Sequence, residues 1–214
     1  MHSQDDRAIR QLWGLEAPTV RGPKARWTTA EVSSVAVDLA DEIGLESLSL
    51  ARVAARLEMT TTALYRYVGS KAELVELMVD AAIGDPPEIT ASDWRERCRV
   101  WVRHLAGVYA AHPWLSDVAP TRLPVQPRAY AWIDALVTAI TDDVQADPLR
   151  IALLLDSLTR TYAAMERSLT AAAPAPWLSD AVAKSFPRLS VQREAPDART
   201  ELTFAVDTVL RGLD

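Results

Sequence analysis

The sequence predicts an all-α protein, and three observations predict it. Apolar residues recur at three- and four-residue steps along most of the chain, Ser, Thr, Pro and Gly stand where those stripes begin and end, and no run of alternating β-branched residues is bounded by hairpin turns. The stripes imply about nine or ten helices. The step Asp85-Pro86-Pro87 divides them. The expected organisation is therefore a flexible basic arm over residues 1–26, a compact unit of short helices over 27–84 and a larger helical unit over 85–214.

Residues 1–20 carry no sustained stripe, and Pro18, Gly22 and Pro23 interrupt any short helix from Ile9 to Leu15, so this segment reads as a mobile arm. Arg21, Lys24 and Arg26 make its end basic. From Thr28 the pattern changes: Val32, Val35, Ala36, Leu39, Ala40 and Ile43 form one face of a helix of about four turns, with Thr28 or Thr29 as cap and Gly44 as stop. Ser49 caps a short second helix that turns Val53, Ala54 and Leu57 inward. Thr60 or Thr61 caps a third carrying Leu64 and Tyr65, and Gly69-Ser70 ends it and caps a fourth. That fourth helix shows Leu74, Leu77, Met78 and Ala81 and closes at Gly84.

In the larger unit, Ser92 is the expected cap of a long helix with the stripe Trp94, Cys98, Trp101, Leu105, Val108 and Tyr109, ended by His112-Pro113. Pro120, Pro124 and Pro127 break the following stretch, and another helix covers about Arg128 to Thr141. The cleanest stripe is Ile151, Leu155, Leu158, Tyr162, Met165 and Leu169, stopped by Pro174 and Pro176. A short helix over Trp177 to Lys184 and a loop over Phe186 to Asp197 lead to a final helix, Ala198 to Arg211, with Leu202, Ala205, Val206 and Val209 on one face.

Composition bounds the function. A chain of 214 residues, 49% hydrophobic and 24% charged, can bury a real core. Its net charge of −6 excludes a basic coat, so any grip on nucleic acid must be local. No apolar run approaches the roughly 20 residues that span a bilayer, and the polar N-terminus is unlike a signal peptide, which makes a cytoplasmic protein without a membrane partner the expectation. Cys98 is the single cysteine, so an internal disulfide and a Cys-based zinc cluster are impossible. It reads as a buried helical thiol, with redox sensing as the competing role. Three histidines, His2, His104 and His112, stand without acidic partners at ligand spacing, so no metal is expected. No phosphate-cradling glycine loop, G-x-S-x-G elbow or H-E-x-x-H helix occurs, which argues against an enzyme and against a cofactor.

Three short helices with a tight break between the second and third are the pattern of a helix-turn-helix. The run G-L-E-S-L-S-L-A-R-V-A-A-R-L-E-M-T-T-T-A-L-Y-R-Y-V-G-S-K-A-E-L, from Gly44 to Leu74, resembles the DNA-binding signature of the TetR family, and the resemblance extends over roughly Trp27 to Asp80. Thr60, Thr61 and Thr62 are short hydroxyls near a helix start, able to cap it or to reach phosphates and base edges. Tyr65 and Tyr67 reach either phosphate oxygens or the core. Arg66 and Lys71 are phosphate partners or ordinary solvated charges, and Arg26 adds charge before the first helix. By resemblance, Thr61, Thr62, Ala63, Tyr65 and Lys71 occupy DNA-facing positions, with Arg66 and Tyr67 nearby. One departure is Glu58, which stands in the turn where the family usually has glycine. An L-residue there accepts a less favourable backbone conformation at a cost of roughly 1 kcal/mol.

The resemblance further implies that the second unit binds a small-molecule effector and dimerises, that the partner is double-stranded operator DNA, and that repression is relieved when the effector binds. The competing reading is a helical adaptor or ligand-binding protein of the same fold without operator binding. The stripes containing Ile151, Leu155, Leu158, Tyr162, Leu202, Val206 and Val209 serve either a homodimer interface or the monomer core. Trp101, His104, Leu105, Trp132, Tyr162 and Met165 line an effector cavity or fill the core.

Overall fold

The computed structural model describes residues 7–15, 26–118, 124–171, 175–188 and 197–213. Among them are ten α-helices and no strand. The first unit holds α1 (Arg7–Leu12), α2 (Thr29–Ile43), α3 (Leu50–Arg56), α4 (Thr61–Leu64) and α5 (Lys71–Ile83). Then come α6 (Trp94–Ala111), a 3-10 turn (Pro113–Asp117), α7 (Pro127–Ile140), α8 (Pro148–Ala171), α9 (Leu178–Ser185) and α10 (Ala198–Arg211).

Local chemistry explains most of the boundaries. Thr28 and Glu31 form a reciprocal capping box at the start of α2, and the two bonds that Glu31 accepts from Thr28 hold its carboxyl below the usual carboxylate range. Ser49, Thr60 and Ser70 each accept an amide from three residues on, so α3, α4 and α5 each start on their own hydroxyl. Gly44 and Gly84 end α2 and α5 at φ +77° and +64°, a region that suits glycine. The long helix α6 starts on Asp93 rather than Ser92: its carboxylate accepts the Glu96 amide, as one N-cap side chain must.

The inner face of α2, with Val32, Ala36 and Leu39, packs along α5, and α3 and α4 close the unit across them. In the second unit α6, α7 and α8 pack on one another and α10 lies along α8. Trp101 meets Trp132 edge to face at 5.9 Å. Trp101 Nε1 donates to the Trp132 carbonyl (2.8 Å) and Trp132 Nε1 to the Gly84 carbonyl (3.0 Å), a relay from the second core to the end of α5.

Two buried carboxylates on α5, seven residues apart and so on one side of the helix, tie in other segments. Glu73 (5% exposed) accepts the Ala8 amide at 2.8 Å and the Gly69 amide, while Asp80 (2% exposed) accepts the Arg128 amide and guanidinium, each at 3.0 Å. Ala8 and Arg128 lie in the first turns of α1 and α7, where amides have no intrahelical acceptor. For α7, whose Gln126 makes no side-chain cap, α5 thus supplies the cap from outside.

One expectation is corrected and one open alternative is narrowed. The expected mobile arm contains α1: Ala8 and Ile9 are buried against α5, and Trp13 donates to the Val125 carbonyl at 2.7 Å. A six-residue helix is too short for periodicity to register, and its stability comes from docking. Arg21 and Lys24 lie outside the described residues. The stripe open to either a homodimer interface or the monomer core goes mainly to the core. Ile151, Leu155, Leu202 and Val206 are buried within the single chain and Leu158, Tyr162 and Val209 are half-buried, because α8 and α10 turn these faces onto the core. Their opposite faces expose Leu149, Leu153 and Leu154 on α8 and Phe204 on α10.

Glu73→Gln is expected to detach α1. The amide keeps one acceptor oxygen but presents N–H to a backbone N–H, at a cost of about 1–3 kcal/mol. Denaturant unfolding should register that loss, and hydrogen exchange should quicken at Ala8 and Ile9 before it quickens in α2.

Candidate nucleic-acid interface and cavity

The turn between α3 and α4 is built on a strained residue. Leu57 closes α3, the Met59 amide reaches back to the Ala54 carbonyl (2.9 Å), and Glu58 between them sits at φ +53°. Among the described residues it is the one non-glycine with positive φ, as the departure from glycine at this position requires. Its carboxylate pairs with Arg26 at 3.1 Å, both side chains mostly in water, which places a cation beside the anion but adds little stability.

From this turn α4 projects with a clear division of labour. Leu64 and Val68 are buried and anchor it. Thr60 is consumed in capping, its hydroxyl 3.2 Å from the Ala63 amide. Thr62, Tyr65 and Arg66 face solvent, Tyr65 at 54% exposure, while Thr61, Ala63 and Tyr67 are half-buried. Of the two places open to Tyr65, phosphate side or core, it takes the outward one: with Leu64 filling the core, the next residue turns out. Lys71 stands exposed in the first turn of α5, its ammonium 3.4 Å from the Leu45 carbonyl. Arg66 makes no ion pair among the described residues, whereas Arg56 is committed to Glu42 through two bonds. The face thus offers hydroxyls and methyls from threonine flanked by a phenol, a guanidinium and an ammonium.

In the second unit a cavity of about 290 Å³ opens between α6, α8 and α10. Ala106, Gly107 and Ala110 of α6 form one wall by leaving space, Tyr162 and Arg167 come from α8, and Arg199 comes from α10. Of the residues expected to line a cavity, Tyr162 does so. Trp101, Leu105 and Trp132 are core residues, His104 points to solvent, and Met165 is half-buried away from the lining. The large side chains fill space, and a void is made where side chains are small. That Ala-Gly-x-x-Ala spacing was the available signal. Cys98 is fully buried, and burial pushes its thiol up to about 12, which leaves little thiolate for redox chemistry. Among the described residues no cluster of His, Cys, Asp and Glu is arranged to hold a metal, and no helix is long and apolar enough to cross a membrane.

Residues 33–78 match the family model for bacterial regulatory proteins of the tetR family. An HTH-type transcriptional repressor of Streptomyces coeruleorubidus, DrrR1, is 34% identical over 152 residues, which is 70% of this chain and 56% of the relative. An HTH-type transcriptional regulator of Saccharopolyspora erythraea is 31% identical over 115 residues, 53% of this chain and 49% of its own. The chain therefore spans about half the length of these relatives. Among solved structures, ActR of Streptomyces coelicolor without ligand superposes with a TM-score of 0.75 at 22% identity, covering 89% of this chain and 96% of ActR. ActR in complex with actinorhodin gives 0.74 at 24%, covering 88% and 97%. These likenesses establish the fold.

Glu58→Gly is expected to relieve the left-handed strain and stabilise the protein by about 0.5–1 kcal/mol, after the entropy that glycine loses on folding. Thermal unfolding followed by circular dichroism should show a rise of roughly 2–4 °C per kcal/mol gained. An unchanged or lower midpoint would mean that the Arg26 pair outweighs the strain.

Proposed function

Because residues 33–78 make this chain a member of the tetR family of bacterial regulatory proteins, we propose that it is a transcriptional repressor that binds operator DNA as a homodimer and leaves it when a small molecule fills the cavity. The observation that carries the DNA-binding part is the outward set Thr62, Tyr65, Arg66 and Lys71, which gathers two cations, a phenol and a threonine beside the α3–α4 turn. In the major groove, Thr61 and Thr62 meet base edges through hydroxyl and methyl, while Tyr65, Arg66 and Lys71 hold phosphates and fix the register. With a net charge of −6, the affinity comes from this patch rather than from the molecule as a whole.

The dimer reading is supported by Leu153 and Leu154 on α8 and Phe204 on α10, the last 64% exposed, which a two-fold axis can bring against their own copies. The effector reading is supported by the cavity and by the ligand complex of ActR. Two reading heads grip successive major grooves only at a separation of about 34–36 Å or a multiple of it. An effector that prefers another separation lowers DNA affinity by the factor by which DNA lowers its own.

Gel shifts across a salt series, on duplex DNA from upstream of the chain's own gene, test the proposal. Lys71→Ala is expected to weaken binding to every sequence and to flatten the salt slope by about one unit, whereas Thr62→Ala changes preference at particular base pairs. Binding that ignores salt, or no binding, would sink the reading.

For the dimer, the double substitution Leu153→Glu and Phe204→Glu should move the light-scattering mass from two chains to one, with the helical spectrum retained. A wild-type mass of one chain at micromolar concentration would exclude a homodimer.

A further inference from the structure

One carboxylate on the first unit receives two donors from the second. Asp41, near the end of α2, accepts Trp114 Nε1 at 2.7 Å and His112 Nδ1 at 2.9 Å. The residue between those donors, Pro113, lines the cavity. From the far side the same 3-10 turn is held by α8: Arg167, itself a cavity residue, donates to the Pro113 carbonyl at 3.3 Å and pairs with Asp117. The turn Pro113–Asp117 is thus clamped between a cavity wall and the first helix of the DNA-binding unit. Trp114 and Leu115, both buried, make it rigid enough to move as one piece.

The unit has a second attachment of a different kind. Asp80 and the Gly84 carbonyl on α5 are bonded to Arg128 and Trp132 of α7. Asp80 is almost wholly buried, whereas the Asp41 and His112 side chains are about a quarter exposed, at 28% and 23%. Three bonds join α5 to α7 here, two from Arg128 to Asp80 and one from the Trp132 indole to the Gly84 carbonyl, and opening them leaves the buried Asp80 carboxylate without its donors. The α5–α7 contact is therefore the pivot, and the Asp41 contact is the point where force is applied.

We propose that Asp41 is the positioning residue that carries occupancy of the cavity to the DNA-binding unit, through the turn Pro113–Asp117. The proposal rests on the reading of the cavity as an effector site. A body against Ala106, Gly107 and Pro113 shifts the turn, the two donors shift with it, and Asp41 draws α2 about the pivot, changing the separation of the two α4 helices in the dimer.

The test needs no effector, because the cavity can be filled from within. Gly107 lines the cavity and a Cβ added there meets nothing within 4 Å, so Gly107→Phe places a ring at the cavity wall without a steric clash at its Cβ. Affinities are measured by fluorescence anisotropy on a duplex selected from a random library by the full-length protein. Gly107→Phe is expected to weaken binding about tenfold, within the usual range of coupling between sites. In the Asp41→Ala background the same substitution should change affinity less than twofold, with Asp41→Asn intermediate because it keeps one acceptor for the indole. In ¹⁵N-indole spectra, Gly107→Phe should move the Trp114 resonance and leave those of Trp101 and Trp132 in place. A tenfold loss in both backgrounds would overturn the role of Asp41 and leave the cavity reading standing. No loss in the wild-type background would overturn both. Should Asp41→Ala lose its helical spectrum, the cycle with Asp41→Asn decides, an undiminished effect of Gly107→Phe counting against the proposal.

Discussion

The architecture depends on burying two carboxylates on one side of α5. A buried acid without partners is too costly to keep, so Glu73 and Asp80 demand donors. The donors available are amides at helix starts, which need acceptors just as much. Glu73 therefore fixes α1 and the α4–α5 turn, Asp80 fixes the start of α7, and α5 becomes the shared beam of both units. The position of the recognition surface relative to the second unit follows from this single helix.

Against that beam the patch proposed to face DNA is assembled from residues the fold has no other use for. Thr60 is taken by capping and Leu64 by the core, leaving Thr62 on a helix of four residues and Tyr65 and Arg66 just past its end to point outward. The left-handed residue Glu58 aims that helix, at an energetic cost its exposed partner Arg26 does not recover. Strain in the turn and freedom of the side chains beyond it are two sides of one arrangement.

What was legible in the sequence is what is decided locally. The hydroxyl cap at Thr28 and the stops at Gly44 and Gly84 are settled within a few residues, while the strain at Glu58 is what the family resemblance implies for the turn. Which neighbour covers an apolar stripe is settled at long range. Ile151, Leu155, Leu202 and Val206 announce a covered face, yet only packing shows that α6 and the core cover it. The same limit hid α1, whose two buried residues are too few for a period, and Asp41, whose partners lie some seventy positions away. It also misdirected the cavity, since Trp and Met attract attention where alanine and glycine do the shaping.

The wall formed by Ala106, Gly107 and Ala110 has an evolutionary corollary. Its residues occupy one side of α6, while Cys98, Trp101 and Leu105 on another side carry the packing. Mutations can therefore reshape the void a methyl group at a time without paying the several kcal/mol that a core truncation costs. Under the proposed effector reading, chemical selectivity and thermodynamic integrity rest on separate positions, so the choice of molecule can drift while the fold stands still.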